Sequence, residues 1–164
     1  MKIKGKVLKY GNDVNTDVII PGKFLVLTDP RELAKHAMEG LDPDFPQKVK
    51  VRKIIVAGRN FGCGSSREQA PISLKYAGIQ CVLADSFARI FYRNAVNIGL
   101  PVLECEGVGE KVNDDDELQI NLKEGLIENL SQGTKLKANP VPGFLLEIME
   151  KGLVEYMKEK SGRK

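Results

Sequence analysis

The chain has 164 residues, 42% of them hydrophobic, which is enough for one domain with a substantial core. Its 25 basic and 22 acidic residues are mixed throughout and give a net charge of +3, and only 6% of residues are aromatic, so a nucleic-acid-binding protein is not indicated. No apolar run approaches the ~18 residues of a membrane span and no secretory or transit segment follows Met1, so we expect one soluble, cytoplasmic domain over residues 1–164.

The N-terminal part is predicted to begin with a strand and a long polar turn. The strand covers Ile3 to Leu8, and the turn, Tyr10 to Gly22, is crowded with Asn, Asp, Thr and Gly. Asp13 and Asp17 lie in this turn, but two carboxylates without further oxygen ligands at calcium-loop spacing are weak support for a metal site. On local sequence, we expect them to stabilise the turn.

The next segment, Lys23 to Thr28, is apolar and is either a short strand or a mobile loop. Asp29-Pro30 then opens a helix that ends at Gly40, because Asp caps helices and Pro suits the first helical position. Leu41 to Lys50 contains two prolines and is predicted to be a surface connection without a helix.

A glycine-rich loop follows the buried strand Lys53 to Ala57. The loop, Gly58 to Glu68, reads GRNFGCGSSRE, and a helical pattern runs from Arg67 to Tyr76. Such a junction brings free N–H groups and the positive end of a helix dipole together, which favours bound negative charge. We expect Ser65 or Ser66 to cap this helix.

Two interpretations of the loop remain open from the residues alone. Its spacing fits neither the phosphate loop nor the dinucleotide fingerprint, but Arg67 can fork two donors onto a carboxylate, and a serine among N–H groups can be stabilised as an alkoxide base. Gly64 would let a ligand approach the backbone closely. Alternatively, the segment is an ordinary capped helix with Arg67 and Glu68 on its solvated face.

The pattern of strand and helix then repeats. Strands are predicted at Ile79 to Ala84 and at Leu100 to Leu103, and the helix between them, Phe87 to Val96, is capped by Asp85-Ser86. This alternation predicts right-handed crossovers and a largely parallel central sheet with helices packed on it. Ligands bind outside the carboxyl ends of such strands, where the glycine-rich loop also lies.

The C-terminal part predicts a β-hairpin region and a broken terminal helix. Glu117 to Leu122 and Leu126 to Leu130 alternate apolar and polar residues around a turn, and Lys135 to Ala138 adds a strand. A helix begins at Pro142-Gly143 and is interrupted by Gly152. The expected fold class is α/β, with the hairpin region added to the parallel sheet.

The three cysteines indicate neither a disulfide framework nor a metal site, because no Cys-x-x-Cys pair occurs. Cys81 and Cys105 lie in apolar strand patterns and are expected in the core, whereas Cys63 is a candidate reactive thiol without an assigned role. His36, the only histidine, is expected to be structural. We therefore predict no metal-binding or cofactor-binding residue in this chain.

Two motifs together resemble the swivelling domain of the aconitase superfamily. One is the loop from Gly58 to Glu68, and the other, Asn15 to Pro21, reads NTDVIIP. Over nearly all residues the chain is similar to the free-standing small subunits of the 3-isopropylmalate dehydratase and homoaconitase family. This resemblance implies a β/β/α swivelling domain that closes over a larger partner subunit, which carries a [4Fe–4S] cluster and most of the acid–base residues.

The resemblance also implies roles for the motif residues. Ser65 corresponds to the alkoxide base, Ser66 helps to hold the anion, and Arg67 binds a substrate carboxylate. Asp17 matches the N-terminal active-site aspartate of the family. A further substrate-binding arginine of the single-chain aconitases has no match here, and Arg31 is not assigned that role.

In this small-subunit family, the segment after Pro21-Gly22 covers the variable group of the substrate, which assigns Leu25, Val26 and Leu27 to substrate binding. A homoaconitase-type substrate brings an extra carboxylate and would favour arginine here. An isopropyl group favours apolar contact, and one or two buried methyls are worth ~1–3 kcal/mol. Val26 therefore favours isopropylmalate, although a methyl-bearing malate is also compatible. The alternative without a substrate role is that these residues form a core strand.

The expected function is that of a small subunit that interconverts 2-isopropylmalate and 3-isopropylmalate by dehydration and rehydration in leucine biosynthesis. This hydro-lyase would be active only with the large subunit, and its substrate is a small dicarboxylate. Alternatives are the small subunit of a homoaconitase or of a methylmalate-type isomerase in a citramalate pathway, or a catalytically silent anion-binding assembly module. The sequence leaves open whether the isolated chain forms a homo-oligomer.

Overall fold

The computed structural model describes residues 1–162. Residues 163 and 164, the last two of the predicted domain, lie outside the described residues. The strands are β1 (Lys2–Lys9), β2 (Arg52–Ala57), β3 (Cys81–Ala84), β4 (Val102–Glu104), β5 (Glu117–Asn121), β6 (Leu126–Asn129) and β7 (Thr134–Lys137). They form a seven-stranded sheet with the order β4-β3-β2-β1-β5-β6-β7.

The sheet has a parallel half and an antiparallel half. Strands β1 to β4 pair in parallel, and β5, β6 and β7 extend the sheet antiparallel from the free edge of β1. The predicted β-hairpin is formed by β5 and β6, and β7 adds the predicted further strand. The α/β fold class, with helices packed on the sheet and an added hairpin region, is confirmed.

The helices are α1 (Thr16–Ile19), α2 (Pro30–Ala34), α3 (Phe45–Lys48), α4 (Gln69–Ala77), α5 (Arg89–Asn97), α6 (Val108–Lys111), α7 (Gly143–Lys151) and α8 (Leu153–Lys160). A 3-10 turn covers Gly22–Phe24. As predicted, the terminal helix is broken at Gly152, where φ is +85°. Within residues 1–162, no helix combines the length and the apolar character needed to cross a bilayer.

The apolar sequences of β2 and β3 are explained by burial of both faces of the sheet. Parallel strands that are covered on both sides need apolar residues at consecutive positions, and residues 54–57 and 81–84 are all buried. Ile55 and Val82 pack into a cluster with α2, α4, α5 and α7. Ile54 and Leu83 pack on the other face with α6 and the antiparallel strands.

The helix after the glycine-rich loop begins later than predicted. α4 starts at Gln69 with Glu68 in the N-cap position, and no side chain of the described residues caps it. The prediction that Ser65 or Ser66 caps this helix is therefore wrong. The physical reason is that the loop pairs with a distant part of the chain, which holds these residues in a non-helical conformation.

The predicted cap of α5 is also wrong. α5 begins at Arg89 without a side-chain cap. The Oγ atom of Ser86 instead accepts a hydrogen bond of 2.8 Å from the Asn60 backbone N–H, and Asp85 Oδ1 accepts one of 2.9 Å from Gly109 N–H. These two side chains therefore fasten the glycine-rich loop and α6 to the end of β3.

The helices in the connection between α1 and β2 differ from the predicted ones. Lys23 to Thr28 forms turns and no strand, and α2 ends at Ala34, before Gly40. α3 contradicts the prediction that Leu41 to Lys50 contains no helix. Its proline lies in the first turn, where the missing N–H costs no helical hydrogen bond.

A buried carboxylate holds this connection against the sheet. The hydroxyl of Tyr10 donates a 2.8 Å hydrogen bond to Asp42 Oδ2, and Lys48 Nζ lies 3.0 Å from the same oxygen. Burial alone would raise the pKa of Asp42, but the hydrogen bonds from Tyr10, Lys48 and the Asp44 N–H together hold it below its usual value. The carboxylate therefore links the end of β1 to α3.

Candidate active site

The two sequence motifs lie side by side because their backbones pair. The N–H of Gly62 donates a 2.7 Å hydrogen bond to Val14 O, and the N–H of Thr16 donates one of 2.9 Å to Cys63 O. The hydroxyl of Thr16 then donates to Ser65 O at 2.7 Å. The N-terminal turn thus fixes the backbone of the glycine-rich loop up to the serine pair.

Gly62 is needed for both conformation and space. Its φ is +84°, and a Cβ atom at this position would lie 2.2 Å from Cγ of the buried Phe91 ring. Because Phe91 belongs to α5, the absence of a side chain at Gly62 lets α5 pack directly on the loop. Gly64, with φ of +93°, also needs the left-handed conformation, but its surroundings are more open.

Gly62→Ala is expected to lower the free energy of unfolding by about 3 kcal/mol, from the left-handed backbone and the overpacking against Phe91. Gly133→Ala is the matched control, because Gly133 also has a positive φ, +71°, but a Cβ atom there would have no neighbouring atoms within 4 Å. The control should lose only about 1 kcal/mol. Urea unfolding of the isolated chain measures both, and equal losses would contradict the packing assigned to Gly62.

A cleft of about 210 Å³ opens between the glycine-rich loop and α5. One wall is formed by Thr16, Gly62 and residues 64–67, and the other by residues 88–91 and Asn94. Ser65 and Ser66 are exposed there. The sequence-predicted residues Gly64, Ser65, Ser66 and Arg67 are therefore all brought to one cavity.

The cleft is rich in hydrogen-bond donors that have no acceptor within the described chain. None of residues 1–162 accepts a hydrogen bond from the backbone N–H of Ser65 or Ser66, or from those of residues 89–91. The sequence had indicated that the first turn of α4 would favour an anion here. In the structure, the first turn that lines the cleft belongs to α5 instead. A negatively charged group in this cleft would meet loop amides and the positive end of α5.

Arg67 connects the cleft to the N-terminal motif. Its guanidinium donates a 2.9 Å hydrogen bond to Ile20 O and forms a 2.5 Å ion pair with Asp17 Oδ1. A Cβ atom at Gly22 would lie 3.6 Å from the guanidinium, so the segment that follows passes close to this side chain. Asp17 is exposed, whereas the Arg67 side chain is only 17% exposed, so the arginine is held in place by its partners.

The side chains of the three predicted specificity residues differ in their exposure to solvent. Val26 is 82% exposed, whereas Leu25 and Leu27 are partly buried against the core. None of residues 25–27 lines the cleft of Ser65. Of the three, Val26 is the side chain that is free to meet a group brought from outside the chain.

The cysteines do not fit an iron–sulfur cluster. Cys81 and Cys105 are buried, as predicted, and burial raises the pKa of both thiols, which disfavours the thiolate that a metal needs. Cys63 is partly buried in the loop. Within residues 1–162, no group of three His, Cys, Asp or Glu side chains is arranged to hold a metal ion.

Comparison with known proteins identifies related small subunits. The profile of the aconitase C-terminal domain matches residues 27–107. The isopropylmalate/citramalate isomerase small subunit of Methanocaldococcus jannaschii is 60% identical over 159 residues, 96% of this chain and 95% of that protein. The 3-isopropylmalate dehydratase small subunit 1 of Methanopyrus kandleri is 54% identical over 162 residues, 98% of this chain and 95% of that protein.

The chain belongs to the 3-isopropylmalate dehydratase small-subunit family. A crystal structure of 3-isopropylmalate dehydratase from Methanocaldococcus jannaschii is similar with a TM-score of 0.90 and 48% identity, covering 98% of this chain and 96% of that one. The family resemblance noted from the two motifs is thereby confirmed, together with the fold of this small-subunit family.

In this member of the 3-isopropylmalate dehydratase small-subunit family, sequence reasoning missed three polar side chains of the cleft, those of Thr16, Arg89 and Asn94. Thr16 stands inside the N-terminal motif, next to Asp17. Arg89 follows shortly after the carboxyl end of β3, and the rule that ligands bind at such ends could have drawn attention to it. Asn94 lies further along α5, and only the packing of that helix reveals its position.

Proposed function

We propose that this chain acts as one swivelling domain, the small subunit of a 3-isopropylmalate dehydratase. It interconverts 2-isopropylmalate and 3-isopropylmalate together with a large subunit. The single observation that carries the proposal is the common cleft of Ser65 and Arg67 in a chain of this family, where the amides around the serine have no acceptor within residues 1–162. The family's part in biosynthesis supports a cytoplasmic location.

Ser65 is proposed to remove the proton from the substrate carbon next to a carboxylate. A serine is normally a very poor base, so its alkoxide needs donors that stabilise negative charge. The amides of Ser65 and Ser66 and the first turn of α5 offer such donors in the cleft. Negative charge that passes from the alkoxide to the substrate during the reaction stays within reach of the same donors.

Arg67 is proposed to bind a substrate carboxylate, with Ser66 and the open backbone of Gly64 completing the anion site. Asp17 and the Ile20 carbonyl hold the guanidinium in place. Arginine suits this task because it presents several donors in a fixed plane. Asp17 therefore contributes to catalysis by orienting Arg67.

The [4Fe–4S] cluster is assigned to the large subunit, because the cysteines of this chain do not fit it. The groups that assist departure of the substrate hydroxyl are likewise assigned to the large subunit. The exposure of Ser65 and of Val26 supports a site that is completed by another surface. In this arrangement, the small subunit supplies the base and carboxylate-binding groups, and the large subunit supplies the cluster and the groups that release the hydroxyl.

A second candidate is a methylmalate-type isomerase. The relative from Methanocaldococcus jannaschii is named for both isopropylmalate and citramalate, and the uncharged segment around Val26 suits either alkyl group. Homoaconitase activity is less well supported, because no basic residue occurs between Phe24 and Thr28. The silent anion-binding module is the non-enzymatic alternative.

The proposal is tested by mixing the chain with its large subunit and following the absorbance of the unsaturated intermediate formed from 2-isopropylmalate, citramalate or homocitrate. We expect an increase with 2-isopropylmalate only when both subunits are present. An increase with citramalate alone would favour the second candidate. A complex that assembles but converts none of the three would contradict the enzymatic function.

Val26→Arg is expected to shift substrate preference towards homocitrate, which carries an additional carboxylate. The ratio of kcat/KM for 2-isopropylmalate to that for homocitrate should fall about 10-fold or more, because a methyl contact is lost and a charge is gained. Val51→Arg is the matched control, since Val51 is also exposed, at 70%, but lies just before β2. Equal ratios for both variants would remove Val26 from the specificity site.

A further inference from the structure

The substrate proposed above has two carboxylates, and Arg67 can meet only one of them. Part of its guanidinium is already committed to Asp17 and the Ile20 carbonyl. Unpaired negative charge is costly in a site closed off from water, so a second cation is expected near the cleft. The N-terminal motif offers no second arginine for this purpose.

Arg89 meets this requirement from the opposite wall. It is the first residue of α5 and lines the same cleft as Ser65 and Arg67. Its side chain is exposed, and among residues 1–162 no carboxylate oxygen lies within 4.0 Å of its guanidinium. By contrast, Arg52 is paired with Asp114 and Asp115.

One acidic side chain, Glu104, shares a cavity with Arg89 but forms no ion pair with it among the described residues. Its Oε2 atom accepts a 3.0 Å hydrogen bond from the Phe87 N–H. Arg89 therefore remains available to an anion in the cleft. Its position beside the uncapped first turn of α5 adds favourable donors on the same wall.

We propose that Arg89 is a second substrate-binding residue, which binds the carboxylate that Arg67 does not bind. This inference rests on the proposed function and deepens it. The dicarboxylate would lie between the loop and α5, with Ser65 next to the carbon between its two charged ends. The small subunit would then bind both carboxylates, one on each wall of the cleft.

Arg89→Gln is compared with Arg93→Gln in the assembled two-subunit enzyme. Arg93 is the matched control, because it is exposed one turn further along α5 and lies beside an adjoining groove, outside the cleft. We expect kcat/KM for 2-isopropylmalate to fall about 30-fold in Arg89→Gln, mostly through KM, and less than 2-fold in Arg93→Gln. Sedimentation of the mixed subunits should show unchanged assembly for both variants.

Substrate analogues separate binding from a structural effect. Each of the two monoamides of 2-isopropylmalate lacks one carboxylate charge, and inhibition constants can be measured with them. The penalty of Arg89→Gln should vanish for one monoamide, whereas the penalty of Arg67→Gln should vanish for the other. Equal kcat/KM for the two glutamine variants at positions 89 and 93, or loss of assembly in Arg89→Gln alone, would overturn the inference.

Failure of this inference is distinguishable from failure of the proposed function. If the wild-type complex is active, requires Ser65 and does not respond to Arg89→Gln, only the role of Arg89 is rejected. If the wild-type complex assembles but does not convert the substrate, the proposed function itself is rejected, and the role of Arg89 is rejected with it.

Discussion

Replacing Ser65 with alanine is expected to lower kcat of the assembled enzyme by about a thousandfold, the scale on which a positioned general base contributes. Ser65 is exposed, and Thr16 and the N-terminal turn hold its backbone in place. Removal of the hydroxyl therefore leaves the cleft intact and takes away only the proton acceptor. Steady-state rates at saturating substrate measure the effect.

Two further serine variants act as controls. Ser161→Ala removes a hydroxyl that donates to Lys158 O at the end of α8 and does not line the cleft, so it should leave kcat unchanged. Ser66→Ala should have an intermediate effect, because Ser66 is proposed to hold the anion and not to accept the proton. All variants should bind the large subunit as the wild type does. A larger loss in Ser66→Ala than in Ser65→Ala would exchange the roles of the two serines.

Arg67→Gln is expected to lower kcat/KM about 100-fold, mainly by raising KM. The substitution removes a charged, forked donor from a substrate carboxylate, and it also breaks the contacts with Asp17 and the Ile20 carbonyl. Since Ile20 stands just before the segment that carries Val26, we expect discrimination between substrate alkyl groups to weaken at the same time.

The matched controls for Arg67 come from its own surroundings. Arg59→Gln removes an exposed arginine of the same loop that borders a different cavity, and should change kcat/KM less than 2-fold. Asp17→Asn keeps the shape of the partner side chain and weakens only the ion pair. It should reproduce part of the Arg67→Gln effect, and an unchanged KM in Asp17→Asn would contradict the orienting role of Asp17.

The strands of this fold could be predicted because the burial of a strand determines which of its positions are apolar. β2 and β3 are apolar at consecutive positions, and β5 and β6 alternate, as expected for strands covered on two faces and on one. Capping was predicted less well. Ser65, Ser66, Asp85 and Ser86 are good helix caps in isolation, but α4 and α5 begin after them.

The site itself depends on contacts that local patterns cannot reveal. The pairing of Val14 with Gly62 and of Thr16 with Cys63 joins segments separated by almost fifty residues. It places the serine pair in a loop and turns it towards α5. Arg89 could not be identified from the sequence for the same reason. It lines the same cleft as Ser65 only because α5 packs against Gly62.

In the proposed mechanism, Ser65 takes a proton, in this cleft, from a substrate that a second subunit helps to hold. Rapid mixing of 2-isopropylmalate with an excess of the assembled enzyme, monitored by absorbance of the unsaturated intermediate, isolates that step within a single turnover. We expect the wild-type complex to form the intermediate, and the Ser65→Ala complex to bind substrate without forming it. Formation of the intermediate at the same rate in both complexes would contradict the account.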